Sequence, residues 1–212
     1  MAYIEINDVT KSYGVQVVLN HVSVSWERGL IHGLIGRNGS GKTQLFKCIC
    51  GYVTPDSGTI RVDAQAIGRE IPYPKSLGLL IEGPGFLPDY SGLFNLQLLA
   101  AIRSKLTTND LRSCLQKVGL GQAGRKRYAH YSLGMKQRLG IAQAIMENPD
   151  LIILDEPFNG LDNAGVQEIR SLLQGLAAEG KTILLSSHHA EDIHHLCATV
   201  HEMEAGRISK VR

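Results

Sequence analysis

Residues 36–43 constrain the possible folds of this chain more than any other segment. They match the phosphate-loop pattern G-x-x-x-x-G-K-[ST] at every fixed position. Glycines let the backbone turn with its N–H groups pointing inward, where Cβ atoms would otherwise occupy the space of phosphate oxygens. The sequence therefore predicts an anion-binding loop formed by Gly36, Arg37, Asn38, Gly39, Ser40, Gly41, Lys42 and Thr43, followed by Gln44.

The segments on both sides of this loop support the prediction. Residues 30–35 are largely apolar and predict a buried parallel strand, and residues 43–50 predict a helix. The helix N-terminus favours negative charge by about 0.3–1 kcal/mol. Lys42 is expected to reach the β- and γ-phosphates, and the Thr43 hydroxyl is placed to bind Mg²⁺. A chance match is disfavoured because strand, loop and helix occur in register, so we predict nucleotide binding.

Charge and hydropathy restrict the expected partners. The chain has 212 residues with 22 basic and 20 acidic side chains, which are interspersed along the sequence. A nucleic-acid partner is not expected, because such proteins usually carry a concentrated basic face. No segment approaches the roughly 18 consecutive apolar residues of a membrane span, and the N-terminus lacks a signal-peptide pattern. We therefore expect a cytosolic chain whose membrane role, if any, is supplied by another chain.

Several further apolar runs alternate with helical patterns. This order predicts a doubly wound α/β fold, with two β-rich runs near the N-terminus at residues 3–9 and 16–26. Tyr13 is expected on a short loop between these runs. It could stack on a purine base, an interaction worth about 1–3 kcal/mol, or it could be an ordinary turn residue. Position alone leaves these alternatives equal.

A region without strands interrupts the α/β pattern. Residues 93–106 and 110–118 have helical spacing, so we predict an inserted helical lobe at about 85–140 and a core at about 1–84 and 141–212. The whole chain, 1–212, is expected to form one domain. The apolar residues that begin the lobe could form its own small core, a docking surface or a mixture of the two.

Acidic and histidine residues follow the predicted strands. Asp155 and Glu156 come directly after the apolar run 151–154, and successive strand residues point to opposite faces, so the two carboxylates should have different roles. Glu82 and His188 each follow another strand. The histidines at 188, 189, 194 and 195 could suggest a metal cluster, but surface or helix-capping positions are the favoured interpretation.

A polar, glycine-containing segment begins a further helix. It contains Ser132, Leu133, Gly134, Met135, Lys136 and Gln137. Apolar residues recur at helical spacing after this segment, which predicts a largely buried helix with a polar N-terminus. Such an N-terminus is a second potential anion site.

These motifs, in this order, resemble the ATP-binding subunit of an ABC transporter over essentially the whole chain. The resemblance rests on Tyr13, the phosphate loop, the 132–137 segment, Asp155 with Glu156, Asp162 and His188. It implies a P-loop NTPase fold with a RecA-like core, an antiparallel β subdomain and the helical lobe. The variant sequences at 132–138 and 81–86 are most similar to the bacitracin and lantibiotic export or immunity group.

The resemblance also implies a mechanism. Asp155, Thr43 and Glu82 would hold Mg²⁺, Glu156 would activate the attacking water, and Lys42 and His188 would contact the γ-phosphate or that water. Two subunits, identical or different, would pair head to tail. Residues 132–137 of one subunit would then close the ATP site of the other, and Asp162 would lie in the dimer loop. A separate transmembrane permease would hold the dimer at the inner face of the membrane.

Three residues depart from the common family pattern. Leu133 replaces a glycine, Met135 replaces a glutamine, and Glu82 replaces the usual glutamine of the lid. We expect Glu82 to make activity more dependent on free Mg²⁺.

Among alternative functions, a phosphate-loop GTPase is disfavoured because the chain has no Asn-Lys-x-Asp segment. A non-transport ATPase or an ATP-binding regulator remains the competing interpretation.

Overall fold

Two β-sheets form the framework of the chain. The computed structural model describes residues 2–103, 106–188, 193 and 195–212. The strands are β1 Ala2–Tyr13, β2 Gln16–Glu27, β3 Ile31–Ile35, β4 Ser57–Val62, β5 Gln65–Ala66, β6 Leu77–Leu80, β7 Leu151–Asp155, β8 Thr182–Ser187, β9 Thr199–Glu204 and β10 Arg207–Lys210. The α-helices are α1 Lys42–Ile49, α2 Gly92–Arg103, α3 Thr108–Lys117, α4 Leu133–Ile145 and α5 Asn163–Ala178, and Tyr128–His130 forms a 3₁₀ turn.

The larger sheet brings the predicted site residues to one edge. Its six strands are ordered β10-β9-β3-β8-β7-β6, and all adjacent pairs are parallel except β9 with β10. Ile35 lies opposite Ser187 and Asp155 lies opposite Ser186, so β3, β7 and β8 end at the same level. The loops after these three strands therefore meet, as expected at the carboxyl edge of a parallel sheet. The predicted α/β architecture, with helices between parallel strands, is confirmed.

The smaller sheet is antiparallel and corrects the predicted position of Tyr13. Its strands are ordered β2-β1-β4-β5, and the β1–β2 pairing continues as far as Tyr13 with Gln16. Tyr13 is thus the last residue of a long strand, and a two-residue turn follows it. Cross-strand pairing extends β1 beyond the run 3–9 that alternation alone predicts, because the hairpin register also orders the polar residues 10–12.

The helical region lies between β6 and β7. Helix α3 begins with a capping box in which Thr107 and Asp110 each bond the other's backbone N–H. Helix α4 packs on β6, β7 and α3, and it runs through residue 140. The lobe boundary that we predict from sequence therefore falls within a continuous helix, and the division at 140 stays a prediction. Among the described residues, no helix is long and apolar enough to cross a bilayer.

A buried aromatic cluster lies where β2 meets β3 and β9. Trp26 Nε1 donates to Nδ1 of His201 over 3.3 Å, and the two rings meet edge to face. His32 has one ring nitrogen 2.7 Å from Thr199 Oγ1 and the other 2.8 Å from the Glu27 carbonyl oxygen. Burial lowers the pKa of His32 and lowers that of His201 to about 4. Burial therefore disfavours the charged form of each ring.

Candidate functional site

A polar cleft of about 470 Å³ surrounds the phosphate loop. It contains most of the predicted nucleotide-binding residues together with both carboxylates that follow β7. The lining residues are Gln16, Val18, Asn38, Gly39, Ser40, Gly41, Lys42, Thr43, Gln44, Lys47, Glu82, Asp155 and Glu156. The remaining loop residues, Gly36 and Arg37, present their carbonyl oxygens to the Lys42 ammonium at 2.6 and 3.3 Å.

Two glycines of the loop cannot be replaced without strain. Gly41 has φ of 111°, and a Cβ atom there would lie 2.7 Å from the Val18 carbonyl oxygen. Gly36 has φ of 149°, and its Cβ would lie 2.3 Å from the Met203 carbonyl oxygen. Side-chain-bearing residues rarely adopt these conformations. The buried Ser40 hydroxyl has no hydrogen-bond partner in the described part of the chain, so a polar acceptor is missing from its surroundings.

A set of oxygen atoms suited to Mg²⁺ lies beside the loop. Thr43 Oγ1 donates to Asp155 Oδ2 over 2.6 Å, and Ser186 Oγ donates to Asp155 Oδ1 over 2.5 Å. Asp155 is buried at 8% exposure, and its carboxylate is within hydrogen-bond reach of the predicted Mg²⁺ ligand Thr43. Hydroxyl and carboxylate oxygens are the ligands that Mg²⁺ prefers. The residues present therefore fit this metal.

Glu156 occupies the position expected of a general base. Its Oε2 lies 2.8 Å from His188 Nδ1, and its Oε1 lies 3.8 Å from Lys42 Nζ. Oε1 is buried and accepts no hydrogen bond within the described residues. A carboxylate between an ammonium and an imidazole, beside a phosphate-binding loop, can accept a proton from a water molecule. His188 directly follows β8, as the sequence predicts, and contacts Glu156.

Tyr13 reaches the rim of the cleft. It is 52% exposed, and its hydroxyl accepts a hydrogen bond of 2.9 Å from Gln44 Nε2. Lys11 Nζ lies 5.4 Å from the centre of the ring and donates to Asp56 at 2.7 Å. The exposed ring is fixed at its edge by Gln44, so one face can receive a base. Stacking stays a prediction for this residue.

Glu82 lies in the cleft but is paired with a cation. Its Oε1 accepts from Lys47 Nζ over 2.5 Å, and its backbone has φ of 63°. This carboxylate therefore has its charge offset by a residue of α1, which the sequence did not suggest. To ligate Mg²⁺ as predicted, Glu82 would have to leave Lys47.

The 132–137 segment divides into an exposed start and a buried end. Ser132 caps α4 by accepting from the Met135 N–H over 3.3 Å, and Leu133 is 66% exposed. Gly134 packs so closely on Gly160 that an added Cβ would lie 2.6 Å from its carbonyl oxygen. Among the described residues that line the phosphate-loop cleft, none belongs to this segment. Its exposed start therefore does not line the phosphate-loop cleft of its own chain.

Lys136 and Gln137 are directed toward their own chain. Lys136 Nζ lies 5.1 Å from the centre of the Tyr128 ring. Gln137 is 7% exposed, and its amide donates over 2.9 Å to the carbonyl oxygen of Glu156. We predicted that Gln137 acts on a partner subunit, and the structure instead directs its side chain to the loop after β7 of the same chain.

The remaining predicted residues have local roles or lie outside the described residues. Asp162 caps α5 by accepting from the Gly165 N–H over 2.8 Å. His189 and His194 fall outside the described residues. In the part of the chain that the structure describes, no group of three or more histidine, cysteine or acidic residues could hold a metal ion. The four cysteines, at 48, 50, 114 and 197, are free and buried.

Sequence reasoning missed three hydrogen bonds of Asp155 and Glu156. Ser186 bonds the side chain of Asp155 and accepts from the backbone N–H of Glu156, and Gln137 donates to the Glu156 carbonyl oxygen. A signal for Gln137 was present in its spacing. It lies four residues before Ile141 and eight before Ile145, both buried, so it shares their face of α4.

Comparison with known proteins identifies the family. A family model described as ABC transporter matches residues 19–159. The bacitracin transport ATP-binding protein BcrA of Enterococcus faecalis is 43% identical over 97% of this chain and 67% of the relative. The lantibiotic transport ATP-binding protein SrtF of Streptococcus pyogenes is 35% identical over 97% of this chain and 88% of the relative.

A solved structure supports the assignment at the level of the fold and the sequence. The ATP-binding subunit of an ABC transporter superposes with a TM-score of 0.85 at 29% identity, covering 99% of this chain and 90% of that one. A dimeric ATP-binding cassette bound to ADP and Pi superposes with a TM-score of 0.89 over 99% of both chains. Its sequence identity is 21%, so this likeness shows a shared fold. The chain therefore belongs to the ABC transporter family, as an ATP-binding subunit that takes ATP with Mg²⁺ and hydrolyses it.

Proposed function

We propose that this subunit hydrolyses MgATP within a head-to-tail dimer and thereby drives export through a separate membrane subunit. The observation that carries the hydrolytic role is the position of Glu156, between Lys42 and His188 and next to the phosphate loop. The proposed substrate is a peptide antibiotic or a similar amphiphile. Its support is the similarity to proteins named for bacitracin and lantibiotic transport.

The residues of the cleft have different roles in binding and hydrolysis. The loop N–H groups and Lys42 bind the phosphates, and Tyr13 stacks on the base. Thr43 and Asp155 would hold Mg²⁺, which would supply positive charge to offset the negative charge of the phosphates. Glu156 orients the attacking water and accepts its proton at Oε1, which is buried and has no hydrogen bond within the described residues. His188 holds Oε2 of the same carboxylate and so fixes its direction.

The exposed start of α4 supports the dimer. Ser132 presents a capped helix N-terminus at the surface, away from the cleft of its own chain. Helix N-termini favour anions, and a γ-phosphate bound to a second subunit is an anion of suitable charge. ATP would then hold the two subunits together, and hydrolysis would release them. This cycle would move the attached membrane helices between two arrangements.

Two measurements test the proposal. Glu156→Gln should abolish steady ATP hydrolysis while ATP binding survives, because the amide cannot take a proton from water. ATP should then convert this variant from monomer to dimer in light scattering, and adding Ser132→Arg should prevent that conversion. A Glu156→Gln protein that still hydrolyses ATP would contradict the catalytic role. A strictly monomeric ATP-loaded variant would contradict the dimer.

The transport role needs the membrane subunit. Co-expression with membrane proteins encoded beside this chain should give a complex that co-purifies, and ATP hydrolysis by that complex should rise when the exported peptide is added. If the isolated chain hydrolyses ATP at a rate that no membrane subunit changes, the result would favour a non-transport ATPase.

A further inference from the structure

The backbone of Glu156 adopts a conformation that needs external support. Its φ is 53°, in the left-handed region that residues with a Cβ atom rarely adopt. Strained backbone of this kind persists only where surrounding contacts hold it, and it concentrates at functional sites. The direction of the Glu156 carboxylate follows from this conformation, because the side chain leaves the backbone at Cα.

Two side chains hold the two backbone polar groups of Glu156. Ser186 Oγ accepts from its N–H over 3.0 Å, and Gln137 Nε2 donates to its carbonyl oxygen over 2.9 Å. Gln137 is 7% exposed, so this hydrogen bond is shielded from water. Losing this donor leaves the carbonyl oxygen with only the longer hydrogen bond, of 3.3 Å, that the Asn159 N–H donates to it, and a weakened hydrogen bond is costly for a polar group held away from solvent. Gln137 therefore contributes directly to the stability of the strained conformation.

The position of Gln137 on α4 links two parts of the proposed mechanism. It lies five residues after Ser132, and an α-helix rises 1.5 Å per residue, so the two positions are separated by about 7.5 Å along one rigid element. Ser132 lies at the exposed helix start, which we propose faces the ATP of a second subunit. Gln137 contacts the residue that activates water in its own subunit.

We propose that Gln137 is a positioning residue for Glu156, and that it connects the exposed start of α4 to the catalytic loop of the same subunit. This inference rests on the proposed function of Glu156. Gln137 does not touch the reacting atoms. It acts through the Glu156 backbone, so its loss should slow the chemical step and leave nucleotide binding unchanged.

The test is the substitution Gln137→Met, which keeps a similar shape and removes the donor. We expect kcat for ATP hydrolysis to fall about tenfold, the effect of losing one buried hydrogen bond to an aligned group. KM and the affinity for a fluorescent ATP analogue should stay within about twofold, since Gln137 does not line the cleft. Gln143→Met, later in the same helix, is the matched control and should behave as wild type.

A double-mutant cycle separates positioning from general destabilisation. Combined with Glu156→Gln, Gln137→Met should cause no further loss of residual hydrolysis, because there is no longer a base to position. The inference would be overturned if Gln137→Met lowered the hydrolysis rate equally with and without Glu156→Gln. It would also be overturned if Gln137→Met changed KM but not kcat, or if its kinetics were those of the wild type. If Gln137→Met does not fold, Gln137→Asn tests the same contact, because its shorter amide cannot span the distance.

The failure of this inference differs from the failure of the proposed function. If Glu156→Gln abolishes hydrolysis and Gln137→Met has no effect, only the positioning role is wrong. If Glu156→Gln leaves hydrolysis intact, the proposed base is wrong and the positioning role fails with it.

Discussion

His201 gives a quantitative prediction for the stability of the fold at low pH. Burial, followed by repulsion from His32 when that ring is protonated and from the Lys210 ammonium, lowers its pKa from 6.5 to about 4. Its folded-state pKa thus lies below the unfolded value of about 6.5. The stability that depends on neutral His201 is therefore complete above pH 6.5 and is lost as the pH falls toward 4.

The size of this loss follows from proton linkage. Between pH 7.5 and pH 5, protonation of the unfolded chain at His201 should lower the free energy of unfolding by about 2 kcal/mol. The limit at still lower pH is about 3 kcal/mol. The pKa of His32 is lowered in the same direction, so its contribution adds to the total loss in the wild-type protein.

The assay compares wild type with His201→Asn by urea unfolding at both pH values. Asparagine keeps an acceptor for Trp26 Nε1 but has no proton to gain, so the variant should lose about 2 kcal/mol less than wild type. His130→Asn, at an exposed position, is the matched control for the exchange of residue type. Equal losses in wild type and His201→Asn would show that His201 is charged in the fold, which would refute the reasoning.

Three further predictions concern the cleft. Glu82→Gln should lower the Mg²⁺ concentration needed for half-maximal ATPase activity, because it removes the negative charge of a carboxylate from the cleft, where Lys47 is its partner. An unchanged Mg²⁺ titration would contradict this prediction. Gly41→Ala should weaken ATP binding at least tenfold in a fluorescence titration, because its Cβ would lie 2.7 Å from the Val18 carbonyl oxygen; wild-type affinity would argue against a rigid loop. Thr43→Val should lower Mg²⁺-dependent hydrolysis at least tenfold, while ATP still binds without Mg²⁺. A hydrolysis rate equal to that of the wild type would show that Thr43 is not a metal ligand.

The parts of the fold set by short-range patterns were predictable from sequence. The run 151–154 is continuously apolar, and the structure places it as a strand buried on both faces. The phosphate loop was predictable because fixed glycine spacing encodes its conformation. Tyr13 was misplaced because hairpin register, rather than local alternation, decides where β1 ends.

The contacts that required knowledge of facing elements were not predictable. Lys47 and Glu82 are 35 residues apart, and only the packing of α1 beside the end of β6 brings their charges together. Gln137 was predicted to help close the ATP site of a second subunit, because the family resemblance implies that role for residues 132–137. Its helical spacing to Ile141 and Ile145 indicates a buried position, but the hydrogen bond to the Glu156 carbonyl oxygen depends on the approach of α4 to the loop after β7.

The Ser186 hydroxyl limits how the two carboxylates can be dissected by mutation. A single oxygen donates to the Asp155 side chain and accepts from the Glu156 backbone, so displacement of either residue shifts the other through one shared atom. Rate losses measured for Asp155 and Glu156 separately will therefore not sum to the loss in the double variant. The proposed metal-binding acid and the proposed water-activating acid are therefore coupled through Ser186, and their contributions should be measured together.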